Sequence, residues 1–72
     1  MNENQADEPE DAIRARLNTA IQEHADLDVA VQAIAAMTMP DMMVIGRLKR
    51  KKLLLKDEIA RLKDLLTPDI IA

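Results

Sequence analysis

The sequence predicts an all-α protein, an antiparallel hairpin of two helices that pack as in a coiled coil. Three observations lead to this prediction. Mostly apolar residues recur at alternating steps of three and four along two separate stretches, which is the a/d spacing of a coiled coil. A short break at Pro40 separates the stretches, and such short connections make two helices antiparallel neighbours. When the chain is folded at this break, all seven seam positions of each helix find a counterpart in the other.

The first helix is predicted from about residue 9 to residue 37. Pro9 suits the first turn of a helix, and the acidic residues around it stand where the helix dipole favours negative charge. The preceding residues, 1–8, are acidic and polar with Met1 as their one large apolar residue, so they are predicted to be a disordered tail. The seam of this helix consists of Ile13, Leu17, Ala20, His24, Leu27, Val31 and Ile34.

The turn is predicted at residues 38–40, because Pro40 disfavours helical geometry at the residue before it. The second helix then covers about residues 41–66, with Thr38 or Met39 near its capping position. Within it, Gly46 either permits a close approach between helices or is simply a weak point. The seam of the second helix consists of Ile45, Leu48, Lys52, Leu55, Ile59, Leu62 and Leu66.

Length and composition limit the chain to one small domain, the helical hairpin at residues 9–67, followed by a C-terminal tail at residues 68–72. In this tail Ile70 and Ile71 either dock on a neighbour or fray. So small a chain usually needs a disulfide, a metal or a partner chain for stability. With no Cys and one His, disulfides and structural zinc sites are excluded, so oligomerisation is the expected support.

Two adjacent leucines of the second helix, Leu53 and Leu54, lie off the seam and are predicted to face outward. Adjacent exposed leucines indicate association, unless they simply tolerate water. A stripe of small residues on the first helix could receive them, and two hairpins would then form a four-helix bundle. The stripe consists of Ala25, Val29 and Ala33.

The polar residues near the seam are His24, Asp28 and Lys52. A catalytic role would make His24 a general base oriented by Asp28, but no nucleophile or oxyanion donor accompanies them. We expect them instead to set the register of the two helices, as buried polar residues do in coiled coils. The sequence therefore predicts no enzyme, and neither catalytic residues, cofactors nor metal ligands are expected.

Four of the five methionines cluster around the turn: Met37, Met39, Met42 and Met43. Flexible thioether side chains suit adaptable binding surfaces, so this tip is a candidate docking site for another protein. The alternative is that the tip is buried in an oligomer of the chain itself.

Five cations stand within six residues at the start of the second helix: Arg47, Lys49, Arg50, Lys51 and Lys52. Contact with the phosphates of nucleic acid is one interpretation of such a run. At about 100° per residue, however, these side chains encircle a helix rather than forming one stripe. The formal charge of −3 and the absence of aromatic residues for base stacking also disfavour nucleic acid.

The arrangement of polar and apolar residues resembles that of the YdcH-like family of small bacterial proteins, a domain of unknown function. The resemblance covers roughly residues 17–66. It is carried by His24-x-x-Leu27-Asp28 and by Leu48-x-x-x-Lys52-Leu53-x-Leu55-Lys56-Asp57-Glu58-Ile59. It implies a helical, coiled-coil-like cytoplasmic protein and brings no catalytic residues. The alanine-rich first helix and the methionine-rich turn are less typical of the family.

The function expected from the sequence is that of a non-enzymatic interaction module, a homo-oligomer that docks on another protein. Electrostatic binding of nucleic acid through Arg47–Lys52 is the alternative. No stretch of the sequence predicts a signal peptide or a membrane span, and a cytoplasmic location is therefore expected.

Overall fold

The computed structural model describes residues 9–66, which form two helices and the segment that joins them. Helix α1 is Glu10–Ala35 and helix α2 is Met42–Leu66, and within the described range there is no strand. The helices pack against each other, so the predicted all-α hairpin is confirmed. The predicted tails at residues 1–8 and 68–72 lie outside the described residues. Neither helix is long and apolar enough to cross a membrane.

Helix α1 starts after Pro9, whose carbonyl accepts hydrogen bonds from the amides of Ala12 and Ile13 at 3.0 and 3.2 Å. At the other end, the Ala36 amide still bonds the Gln32 carbonyl at 3.1 Å, four residues back. The Met37 amide instead bonds the Ile34 carbonyl, three residues back. This tighter bond satisfies one of the last free carbonyls and turns the chain away from the helix. The helix therefore ends two residues before residue 37, the predicted end.

The first turn of α2 is capped by Asp41, rather than by Thr38 or Met39 as the sequence suggested. Its carboxylate oxygen Oδ1 accepts hydrogen bonds from the amides of Met43 and Val44 at 3.0 and 3.2 Å. A carboxylate at this position satisfies free backbone donors and also complements the positive end of the helix dipole. Residues 36–41 thus form the connection between the helices.

The core is a single strip between the two helices. Every seam position named from the sequence is buried or half-buried, and Leu62 has no exposed surface. The buried side chains are Ile13, Ala20, Val31, Ile45 and Leu62, and of these Leu62 alone is fully buried. The outer faces of both helices remain exposed, so the hairpin by itself covers only one side of each helix.

Gly46 does not mediate a close approach within the hairpin. A Cβ atom added at this position would have no neighbour within 4 Å. Of the two interpretations offered by the sequence, the weak point in the helix is therefore the one that applies to the hairpin.

Candidate functional site

Two of the three polar residues near the seam, Lys52 and Asp28, meet across the two helices. The ammonium nitrogen Nζ of Lys52 donates a 2.6 Å hydrogen bond to Oδ1 of Asp28, and the two side chains are 24% and 45% exposed. Gln32 donates a second hydrogen bond, of 3.2 Å, to the other carboxylate oxygen of Asp28. Asp28 is one residue from Leu27, the predicted neighbour of Lys52, and this contact fits the register inferred from the seams.

These contacts lower the pKa of Asp28 below its ordinary value of 3.8. The hydrogen bond from Lys52 is the largest cause, followed by the positive charge of the same lysine. Partial burial opposes both, while His24 and Gln32 each lower the pKa a little further. Each favourable contact stabilises the ionised carboxylate, so Asp28 holds its charge firmly near neutral pH.

His24 does not join this hydrogen-bonded pair, and no hydrogen bond within residues 9–66 reaches its imidazole. It lies instead in a shallow groove of about 410 Å³ between the two helices. We call this the lysine groove, and its lining residues are His24, Lys49, Lys52, Leu53, Lys56 and Ile59. The groove combines three ammonium groups and an imidazole with two apolar side chains, a combination that can hold an anionic partner.

Lys56 is the residue of this groove that the sequence interpretation missed. It stands outside the run of cations at residues 47–52, and only the helical period connects it with them. The steps of three and four from Lys49 to Lys52 and from Lys52 to Lys56 were visible in the sequence. They place all three lysines along one side of a helix.

The remaining cations of the run lie elsewhere. Lys51 lines a second groove, of about 450 Å³, on a different part of the hairpin surface. Arg47 and Arg50 are exposed and line neither groove. The structure therefore keeps only two of the five cations, Lys49 and Lys52, in one groove, which agrees with the spacing of the run around a helix.

Leu53 and Leu54 are both exposed, at 59% and 63%, but they open onto different grooves. Leu53 lines the lysine groove. We call the other one the Leu54 groove, and its lining residues are Glu23, Asp26, Leu27, Lys51, Leu54 and Leu55. The stripe of Ala25, Val29 and Ala33 is exposed on α1. Nothing in the single hairpin brings this stripe against the two leucines.

The methionine tip is the most exposed apolar feature of the described chain. Met37 and Met39 stand in the connection between the helices, and Met42 and Met43 in the first turn of α2. All four are exposed, and Met39 is the most exposed at 86%.

A second ion pair links the helices near the opposite end of the hairpin. Arg16 of α1 lies 3.8 Å from Glu58 of α2, and Arg61 approaches the same carboxylate at 3.7 Å. These side chains are well exposed, so the pairs contribute little to stability. Within residues 9–66, no three His, Asp or Glu side chains come together as a metal site.

The fold and these surfaces define a short all-α hairpin with a thin core, a methionine tip and shallow grooves along its sides. A family model described as "Protein of unknown function (DUF465)" matches residues 17–63, and the chain therefore belongs to this family. The match confirms the resemblance to the YdcH-like family found in the sequence. No curated protein and no solved structure matches the chain.

Proposed function

We propose that the hairpin is a non-enzymatic interaction module that pairs with a second copy of itself and docks on another protein. One observation carries this proposal: large apolar side chains stand on the outside of a hairpin in which only five of the described residues are buried. The exposed ones are Ile21, Val29, Met37, Met39, Met42, Met43, Leu53, Leu54 and Leu65.

The energetic argument concerns the leucines of α2. Covering one exposed leucine contributes up to about 1.5–3 kcal/mol. In a symmetric pair of hairpins the same leucine is covered in both copies, so each contribution occurs twice. Leu54 and Leu65 are eleven residues apart, close to three helical turns, so they share one side of α2. This side, together with the exposed Ala25–Ala33 stripe of α1, suits the four-helix arrangement expected from the sequence.

Sedimentation equilibrium at micromolar concentration tests self-association. We expect the wild type to be a dimer or tetramer, and Leu53→Glu with Leu54→Glu to shift its mass toward the monomer. Asn18→Glu with Thr19→Glu is the matched control, because it also adds two carboxylates at adjacent exposed positions of a helix. A fully helical wild type that sediments as a monomer contradicts the proposal.

The methionine tip supports the second half of the proposal, docking on another protein. Its four thioether side chains are exposed and stand at the end of the hairpin where the chain turns. Adaptable side chains at an open end can fit the surface of a partner.

Nucleic-acid binding through Arg47–Lys52 has less support as the alternative function. Only two of the five cations, Lys49 and Lys52, line the lysine groove, and Lys52 is already paired with Asp28. Retention on heparin and duplex DNA at low and moderate salt distinguishes this alternative from the interaction module.

A further inference from the structure

We infer that the lysine groove is a docking site for an acidic amphipathic helix of a partner protein. The inference rests on the proposed function in one respect, that the hairpin is an interaction module. It concerns a different surface from both the methionine tip and the Leu54 groove, and it specifies the chemistry of the partner.

Two of the three lysines in the groove carry a positive charge that no described residue balances. Lys49 and Lys56 make no hydrogen bond or ion pair with any residue in the range 9–66. Neither lysine has an acidic residue three or four positions away along α2, where a helical ion pair would form. No carboxylate is among the lining residues of the groove, and Asp28 of α1, which pairs with Lys52 at 2.6 Å, compensates that lysine alone. The groove therefore retains positive charge that a partner can neutralise.

The spacing of the three lysines along α2 matches that of acidic residues on one side of another helix. At 1.5 Å per residue, Lys49 and Lys52 are separated by about 4.5 Å along the helix axis, and Lys52 and Lys56 by about 6 Å. Acidic residues at steps of three and four along another helix have the same separations. Such a helix, laid beside α2, can present one carboxylate to each ammonium group.

The lysine groove also contains apolar surface beside its cations. Leu53 is 59% exposed and lies in the groove together with Ile59. A phosphodiester backbone covers such side chains poorly, whereas an amphipathic helix can place a leucine or alanine against them. The chain also lacks aromatic residues on which bases could stack. These features favour an acidic helix over nucleic acid as the occupant.

Binding to two synthetic peptides, measured by fluorescence anisotropy with the full chain, tests the inference. The first is a helical peptide of about 20 residues, with Glu at steps of three and four and an adjacent leucine stripe. The second has the same composition in shuffled order. We expect the first to bind at least about tenfold more tightly at roughly 50 mM salt, because only this peptide matches both features of the groove.

Matched variants locate the binding site. Lys49→Glu with Lys56→Glu should weaken binding by at least about tenfold, because two attractions become repulsions. Arg47→Glu with Arg50→Glu makes the same change of charge on the same helix but outside the groove, and should alter binding by less than about threefold. Equal effects of the two pairs, or equal binding of the two peptides, would overturn the inference.

Two further measurements separate this site from the other candidates. Duplex DNA that binds more tightly than the acidic peptide, and loses binding with Lys49→Glu and Lys56→Glu, would overturn the inference in favour of nucleic acid. The same pair should leave the sedimenting mass unchanged, since a shift to monomer would make a second copy the occupant. Leu54→Glu tests self-association alone, because Leu54 lies in the other groove.

Discussion

The contact between Lys52 and Asp28 illustrates how a charged residue is accommodated in an apolar seam. Lys52 occupies a seam position that would otherwise hold an apolar side chain, yet its ammonium group reaches the flank of the neighbouring helix. Its methylene groups can remain in the seam while the charge meets Asp28. At the same scale, Leu62 shows the usual alternative, a seam residue with no exposed surface at all.

The lowered pKa of Asp28 makes a testable contribution to stability. Because the folded pKa lies below the unfolded value of 3.8, the unfolded chain binds the proton more tightly. The contribution of Asp28 to stability is therefore fully present above pH 3.8, and it is lost as the pH falls through the folded pKa. We expect the difference in free energy of unfolding between the wild type and Asp28→Asn to be larger at about pH 7 than at about pH 3.

Urea unfolding at the two pH values measures this difference. Subtracting the free energy of unfolding of the variant from that of the wild type cancels the effect of all other carboxyl groups. The same Asp28→Asn change in a Lys52→Met background is the control, since the main cause of the shift is then absent. A difference that grows toward acid pH would show that the pair does not stabilise the folded state.

At the scale of the helices, the two starts differ in how their free amides are satisfied. Pro9 provides only its carbonyl to α1, and no side chain within residues 9–66 caps the start of this helix. Asp41 caps α2 through two hydrogen bonds to its carboxylate. The start of α2 is thus fixed locally, next to a connection at residues 36–41 that is mostly exposed.

Replacement of Asp41 by alanine should therefore destabilise the hairpin by about 0.5–2 kcal/mol. Asp41→Asn is the matched control, because asparagine retains an oxygen acceptor at the same position and should cost less. Urea unfolding at one fixed protein concentration, followed by circular dichroism, measures both changes. An equal loss for the two variants would indicate that the charge, rather than the hydrogen bonds, stabilises this end of α2.

For the molecule as a whole, the thin core and the exposed apolar residues have the same cause. Two helices can bury only one strip of each, and the hairpin leaves leucines and methionines outside. These surfaces are distributed over different parts of the hairpin, with the methionines at the turn and a groove on either side of the seam. If each surface binds as proposed, one small chain meets more than one partner at a time.

The methionine tip is predicted to be needed for capture of a partner but not for the stability of the hairpin. Met42→Ser with Met43→Ser should change the free energy of unfolding by less than about 1 kcal/mol, because both side chains are exposed. The same variant should lose capture of the protein partner from a native extract. Ile21→Ser, an exposed residue of α1 away from the tip, is the control and should retain capture. A large loss of stability would instead place the tip inside an oligomer of the chain.

The sequence by itself determined the two helices, their seam and the position of the turn. These features depend on local rules, namely the steps of three and four along each helix and the effect of Pro40 on its neighbour. The polar group of Asp28 and Lys52 was also predictable, because the register of the seams brings these residues close together.

Only the tertiary structure decided which residues share a surface. Neighbours in sequence such as Leu53 and Leu54 point about 100° apart around a helix, and the position of α1 then assigns them to different grooves. The helical period already aligns Lys49, Lys52 and Lys56, but only the packing of α1 beside them completes the lysine groove with His24. A groove exists only where two helices meet, so its lining depends on the packing of both and not on either stretch of sequence alone.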